Sequence, residues 1–464
     1  MINHKFQRTA LFPGNIKNTD DLLIYSSQIK MLVSNKRLLK KWANYVDIEH
    51  FDIDQVVSID NIAPLCLTGS LAYPDIVRYV LNDSSTYHIL RRKISAKSLY
   101  EIDLYAERVI YWCIDKLLSN NIDCVIHHNT PHEVVSYVFS KVAEFLKIPI
   151  YTIRQSPIPW RAYIQKGAFN SGRLERNEKA VKQADYEEVS AFLTKKIQDY
   201  NQAIPEYEKE RLIRLKGNFW SWEKEIRTAL NLKNNPIKSF YSLYLKYRLF
   251  RFFQSKVSDK ASWGSKFVTF YLHYQPERTT LPEGGIYNQQ LIAIRALRLL
   301  LPKDISIVVR EHPSTFRNSF SLTTRSELFY SRITSLENVH LCPLQLDSFE
   351  VLDSSLFVLT TTGTVAIEAS VRGKCTVFFG NACYQGMPGT YSIYEFLENR
   401  AILETLIDKP LSPDFNEVIS FFENHYYDSF NAFIEPLDVM GRGQSWMAAN
   451  EALKYLLELK GSYH

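Results

Sequence analysis

A chain of 464 residues with 46% hydrophobic and 23% charged residues can bury a large core and is too long for one ordinary domain, so two domains are expected. Its 16 Gly and 18 Pro exclude a low-complexity or collagenous protein, and a net charge of +5, from 55 Lys+Arg against 50 Asp+Glu, is too small to imply nucleic acid. The aromatic content is high, at 28 Tyr, 27 Phe and 7 Trp.

From the start of the chain, Met1–Ile16 has no apolar run followed by a small-residue cleavage site, and no stretch of ~20 apolar residues occurs, so a soluble, non-secreted protein is expected. Ile122–His128 reads as a buried strand. Thr130-Pro131-His132-Glu133 then reads as a capping box with Pro at the first helical position, leading into a helix whose apolar face is Val135, Val138, Phe139, Val142 and Leu146. Ile148–Arg154 follows as the next strand, giving a βαβ unit. Asn129, His132 and Glu133 stand at its top. A carboxylate there could deprotonate an acceptor hydroxyl or attack an anomeric carbon, while the capping box already explains Glu133.

Between about 172 and 235 the chain is rich in Lys, Glu, Arg and Gln at helical spacing, as in exposed helices linking two domains, with a boundary expected near 255–265. Ile237–Lys256 carries seven Phe/Tyr, five Lys/Arg and no acid. Such a stretch either lies on an anionic membrane surface or packs its rings inside as an interdomain helix.

The second half alternates strand and helix: a strand at Phe267–Gln275, a Gly-containing loop, a helix from about Tyr287 to Leu301, then strands at Ile305–Arg310, Val339–Pro343 and Ser355–Thr360. A helix over Gly363–Arg372 and a strand at Cys375–Gly380 follow, and Trp446–Leu459 is a terminal helix. These lengths predict a doubly wound parallel sheet with ligands at the carboxyl ends of its strands. Three loops fall there: 273–285, with His273, Glu283 and Gly284-Gly285; 310–314; and 360–364. Thr361, Thr362, Gly363 and Thr364, between a strand and a helix, can either receive a phosphate or cap the helix. Glu368, four residues on from Thr364, is in reach of a ribose or is an ordinary helix surface residue. His312 follows a buried strand and precedes Pro313, where an imidazole could donate to a phosphate or a leaving-group oxygen, with Arg310 and Glu311 beside it.

The six Cys include no CxxC and sit mostly in apolar runs, which predicts buried free thiols, and the 11 His include no HExxH, so no dedicated metal site is expected.

LHYQPERTTLPEGG at 272–285, VVREHP at 308–313 and TTTGTVAIEASVRGKCTVFFGNACYQGMPG at 360–389 resemble the bacterial capsule polysaccharide biosynthesis family, which includes transferases of Kdo (3-deoxy-manno-octulosonic acid). The resemblance covers roughly 265–390 well and the first half weakly. It implies an α/β GT-B fold, two Rossmann-like domains with parallel sheets facing across a cleft. By position His312 and Pro313 match the family's HP motif and Thr361, Thr362, Gly363 and Thr364 its Ser/Thr-rich motif, both of which contact the CMP part of the donor. Arg310 stands where Lys is usual before the HP motif, and no residue of the first half matches the family's cleft carboxylate with assurance.

The expected domains are 1–170, an acceptor-side Rossmann-like domain; 171–260, a helical insertion or linker; 261–435, the nucleotide-sugar domain; and 436–464, a terminal helix that could cross back to the first domain. The expected activity is metal-independent transfer of Kdo or a related ulosonic acid from a CMP-activated donor onto a capsule or lipopolysaccharide glycan, in the cytoplasm or peripherally on the inner membrane face. No cofactor is expected. Glu133, His132 and His312 are the catalytic candidates, and Arg310, His312, Pro313, Thr361, Thr362, Gly363, Thr364 and Glu368 the donor-binding ones. The alternatives are a transferase using an NDP-sugar or phosphoribosyl donor, a nucleotide-sugar epimerase or hydrolase, and an inactive scaffold subunit of a capsule assembly complex.

Overall fold

Short runs of β-branched and aromatic residues become strands where both faces can be buried, and the computed structural model sorts them into two sheets. It describes residues 6–13, 25–34, 39–40, 48–52, 73–93, 98–158, 161–169, 173, 183–198, 236–275, 277–316, 322–408, 411–431 and 449–458. Two α/β units result, Met1–Val181 together with Asn424–His464, and Lys182–Glu423. The expected α/β class holds, with two Rossmann-like units, the second inserted in the sequence of the first.

In the first unit, β1 (Thr9–Phe12), β2 (Ile29–Ser34), β3 (Glu49–Asp52), β4 (Cys124–His127) and β5 (Ile150–Gln155) pair in parallel in the order β5-β4-β1-β2-β3. Antiparallel β6 (Arg161–Lys166) extends this sheet, and β13 (Ser429–Asn431), from the far end of the chain, pairs antiparallel with β6. The helix Ala449–Glu458 packs Ala452, Leu453, Leu456 and Leu457 into the same core as Leu11, Leu32, Ile126 and Ile153. The predicted capping box does not form. The helix begins at Val134, with Glu133 as an extended N-cap that makes no side-chain cap bond, so Pro131 lies outside it.

The second unit has six parallel strands in the order β12-β11-β10-β7-β8-β9. They are β7 (Phe267–Tyr271), β8 (Ser306–Arg310), β9 (Val339–Leu341), β10 (Val358–Thr360), β11 (Thr376–Phe378) and β12 (Thr390–Ser392). The register decides the site. Thr360 pairs with both Tyr271 and Phe378, and Tyr271 with Arg310, so four strands end in one row and their loops leave at one level.

The helix Pro236–Lys256 belongs to this unit rather than to a linker ending near 260. Its Leu243, Leu249, Phe250 and Phe253 lie in the main core. Phe250 and Phe253 pack on Phe316 at 5.2 and 5.1 Å, supporting the segment that follows His312. Its cations are not one free set: Lys246 is buried and Arg248 pairs with Glu327 at 2.7 Å, while Arg251 and Lys256 are exposed. Most of the 172–235 stretch lies outside the described residues, as does Cys66. Cys113, Cys124, Cys342 and Cys375 are buried free thiols and Cys383 is half-buried. Among the described residues no helix is long and apolar enough to cross a membrane.

Candidate functional site

The strand row of the second unit brings together residues far apart in sequence. The loop after β7 runs first into His273, whose backbone is held on both sides by Gln290: His273 N–H donates to Oε1 at 2.7 Å and Nε2–H donates to the His273 carbonyl at 3.2 Å. The His273 ring is buried, and its Nε2 accepts the Thr362 backbone N–H at 3.0 Å, with Thr360 Oγ1 at 3.2 Å. An Nε2 that accepts leaves the proton on Nδ1. Burial, and then the charges of His312 and Arg325, pull the pKa of this ring down to about 3, so it is a neutral acceptor throughout the physiological range.

The Thr-rich loop is built by its own side chains. Thr360 Oγ1 accepts the Gly363 N–H at 3.1 Å, and Thr362 Oγ1 donates to the Thr279 carbonyl at 2.7 Å. The helix behind it spans Val365–Val371, shorter than predicted, and Thr364 makes no side-chain cap bond. The threonines are therefore not there to cap it. Thr361 Oγ1 is fully buried and has no hydrogen-bond partner among the described residues, the kind of orphaned group that asks for an explanation. Thr364, three residues on, is exposed.

Glycines lock this loop to its neighbours. A Cβ on Gly380 would sit 2.6 Å from both the Glu283 carbonyl and Thr362 Cγ2, and one on Gly284 would sit 2.5 Å from the Thr280 carbonyl and 2.9 Å from Thr361 Cγ2. Backbone bonds close the same junction: Gly380 N–H donates to the Thr361 carbonyl at 2.9 Å and Asn381 N–H to the Glu283 carbonyl at 2.7 Å. Loops after β7, β10 and β11 thus form one block.

After β8, Glu311 is 1% exposed and its two oxygens are fully engaged. Oε1 accepts from the His312 N–H at 2.8 Å and Thr315 Oγ1 at 3.1 Å, and Oε2 from Tyr330 Oη at 2.9 Å and Arg325 Nε at 2.7 Å. His312 is partly exposed, with the Ser314 N–H donating to its Nδ1 at 3.2 Å, which puts the proton on Nε2. Tyr274 lies 6.1 Å from it, ring centre to ring centre, and Pro313 starts a buried 3₁₀ turn over Pro313–Phe316. Arg310 is buried, donating to Cys342 Sγ at 3.4 Å and to the Leu346 carbonyl at 2.8 Å; it fixes the segment after β9. Glu368 is engaged by Lys196 Nζ at 3.3 Å.

In the first unit, His132 Nδ1 is 2.8 Å from the Thr130 carbonyl and its Nε2 is 4.0 Å from Glu133 Oε1, with both side chains partly exposed. Asn129 Oδ1 accepts the Thr130 N–H at 2.8 Å. Tyr105, which the sequence pattern presents only as a core position of the helix Leu99–Ser119, is buried here, and its hydroxyl has no partner among the described residues. Burial and the Glu133 charge both push its pKa up. Sequence reasoning also missed Arg325, which carries no motif and precedes an ordinary helix start at Ser326. Among the described residues no group of three or more His, Cys, Asp or Glu could hold a metal ion.

No family model matches the chain, and no curated protein sequence does. Among solved structures it is similar to the Thermosulfurimonas dismutans KpsC beta Kdo 2,7 transferase, with 12% identity, covering 81% of this chain and 96% of that one, at a TM-score of 0.30. The beta Kdo 2,4 transferase of the same KpsC gives 9% identity over 72% and 87%, at a TM-score of 0.33. UDP-GlcNAc 2-epimerase from Methanocaldococcus jannaschii gives 12% identity over 90% and 99%, at a TM-score of 0.25. These values assign neither an activity nor a substrate.

Proposed function

We propose that the chain is a cytoplasmic glycosyltransferase that moves a CMP-activated ulosonic acid, Kdo or a relative, onto a bacterial surface glycan. The observation that carries this reading is the block of loops at the C-terminal edge of the second unit's sheet, with His312 Nε2–H, the buried orphan Thr361 Oγ1 and exposed Thr364 on it. The motif resemblance at 272–313 and 360–389 supplies the nucleotide. On this reading the block binds the donor phosphate, Glu368 is in reach of the ribose once Lys196 yields, and His312 donates to the departing phosphate oxygen without a metal or cofactor. The first unit binds the acceptor, and Glu133 with His132 is its candidate base or nucleophile. Isothermal titration with CMP, UDP and GDP in the absence of metal tests this. CMP is expected to bind, and His312→Ala to weaken it by roughly 10-fold or more, the loss of one hydrogen bond to a charged group; binding of UDP or GDP but not CMP overturns the donor assignment.

A peripheral membrane contact through 237–256 belongs to the same reading. Ile237, Phe240, Tyr241 and Tyr244 are 79%, 44%, 61% and 49% exposed along one side of the helix, followed by exposed Arg251 and Lys256. Rings at headgroup depth and cations on lipid phosphates suit an anionic bilayer. Co-sedimentation with vesicles containing phosphatidylglycerol is expected to drop on replacing Tyr241 and Tyr244 by Ser and Arg251 by Glu, and unchanged binding rejects the contact.

A further inference from the structure

Resting on the donor-site reading, we infer that Arg325 is the positioning residue of that site, acting through the two loops it joins rather than on the donor. Its guanidinium is 1% exposed and reaches three acceptors on two segments: Glu311 Oε2 at 2.7 Å through Nε, Gln275 Oε1 at 2.7 Å through Nη1 and the His273 carbonyl at 2.9 Å through Nη2. Only a planar fork with fixed donor directions can hold three such acceptors at once; a Lys ammonium in the same place would hold one or two and lose the geometry. The Phe329 ring packs against the guanidinium, its centre 4.5 Å from Cζ.

Each arm ends on a group of the donor site. One arm fixes the His273 backbone, and the His273 ring in turn holds the Thr362 N–H and so the course of the Thr-rich loop. The other fixes Glu311, whose second oxygen holds the His312 N–H and Thr315, setting the turn in which His312 keeps its proton on Nε2. Tyr330 closes the arrangement by donating to the same carboxylate. A buried ion pair is a costly way to add stability, because desolvation consumes most of the attraction, and apolar side chains of equal volume do as well or better. What the pair supplies that apolar packing cannot is direction: it sets the distance between the loop after β7 and the turn after β8.

The test uses the full chain with Arg325→Lys, which keeps the charge, and Tyr330→Phe, which removes one bond to Glu311 and keeps the ring. Hydrogen–deuterium exchange without ligand is expected to rise in both variants at 311–316 and 360–364, more for Arg325→Lys, while β7, β8 and β10 stay protected. CMP affinity is expected to fall roughly 10-fold in Arg325→Lys, and Arg325→Lys on a His312→Ala background to add less than that, since one of the two arms runs through His312. Unchanged exchange at the two segments overturns the inference, as does a rise spread over the whole second unit, or fully additive losses in the double variant. If the wild-type protein binds no CMP, the donor reading fails, and the exchange pattern still decides whether Arg325 sets the two loops.

Discussion

His273 and His312 lie in the loops after the adjacent strands β7 and β8 and play different hydrogen-bonding roles. His312, partly exposed and accepting the Ser314 N–H at Nδ1, carries its N–H on Nε2 and is there a hydrogen-bond donor. His273 is a buried acceptor that must stay neutral, because a proton on Nε2 would expel the Thr362 amide. His127 in the first unit is its counterpart, buried 2.8 Å from Ser140 Oγ, with burial pulling its pKa to about 3. Both rings carry folded-state values near 3 against 6.5 in the unfolded chain, so the unfolded chain binds the extra protons below pH 6.5. The stability they contribute is complete above pH 6.5 and is lost as pH falls toward 3, at about 1.4 kcal/mol per pH unit for each ring. Denaturant unfolding between pH 6.5 and 4.5 is expected to show a shallower slope for His127→Gln than for the wild type, by about one proton.

Whole loops, not single side chains, make the C-terminal edge of the second unit's sheet, and glycine contacts set how closely they pass. Gly380 admits the Glu283 carbonyl and the Thr362 methyl where no side chain fits. Gly380→Ala is expected to cost about 1–3 kcal/mol of stability by overpacking, and to displace the Thr-rich loop enough to weaken CMP at least roughly 10-fold; denaturation and titration of the same preparation measure the two effects. The helix Pro236–Lys256 shows why its composition was ambiguous. Its aromatics divide between an inner face, with Phe250 and Phe253 under the Pro313–Phe316 turn, which packs as the interior reading expects, and an outer one with exposed Tyr241 and Tyr244, so no single apolar stripe marks it in the sequence. The predicted capping box failed for a related reason: Thr-Pro-His-Glu satisfies a local pattern, but the chain stays extended through Glu133, leaving that carboxylate without a capping bond.

The first unit is assembled from two separated stretches of the chain, the second from one continuous stretch. The first is completed by the returning C-terminal segment, where Arg161 donates to Ser429 Oγ at 2.9 Å and to the Tyr426 carbonyl at 2.7 Å, and Leu453, Leu456 and Leu457 fill the core beside β5 and β6. Leu456→Ala is expected to destabilise this unit by about 2–5 kcal/mol. Unfolding should show it, with the transition of the first unit moving to lower denaturant and that of the second staying in place; a shift of both together would mean that the two units unfold as one.

The sequence by itself determined the α/β class, five of the six strands of the second unit (β12, Thr390–Ser392, was missed), and the order in which the HP and Thr-rich segments follow their strands. Those features rest on periodicity and turn chemistry within a few residues, which any window of the chain displays. Tertiary structure alone decided which groups meet. Thr362 finds its acceptor 89 residues away in His273, and Arg325 finds Gln275 at a separation of 50, pairings that no local pattern encodes. The same cause redirected Arg310: beside His312 in sequence, it is turned by the strand pleat to Cys342 and Leu346, while unannounced Arg325 supplies the buried charge that holds the HP turn.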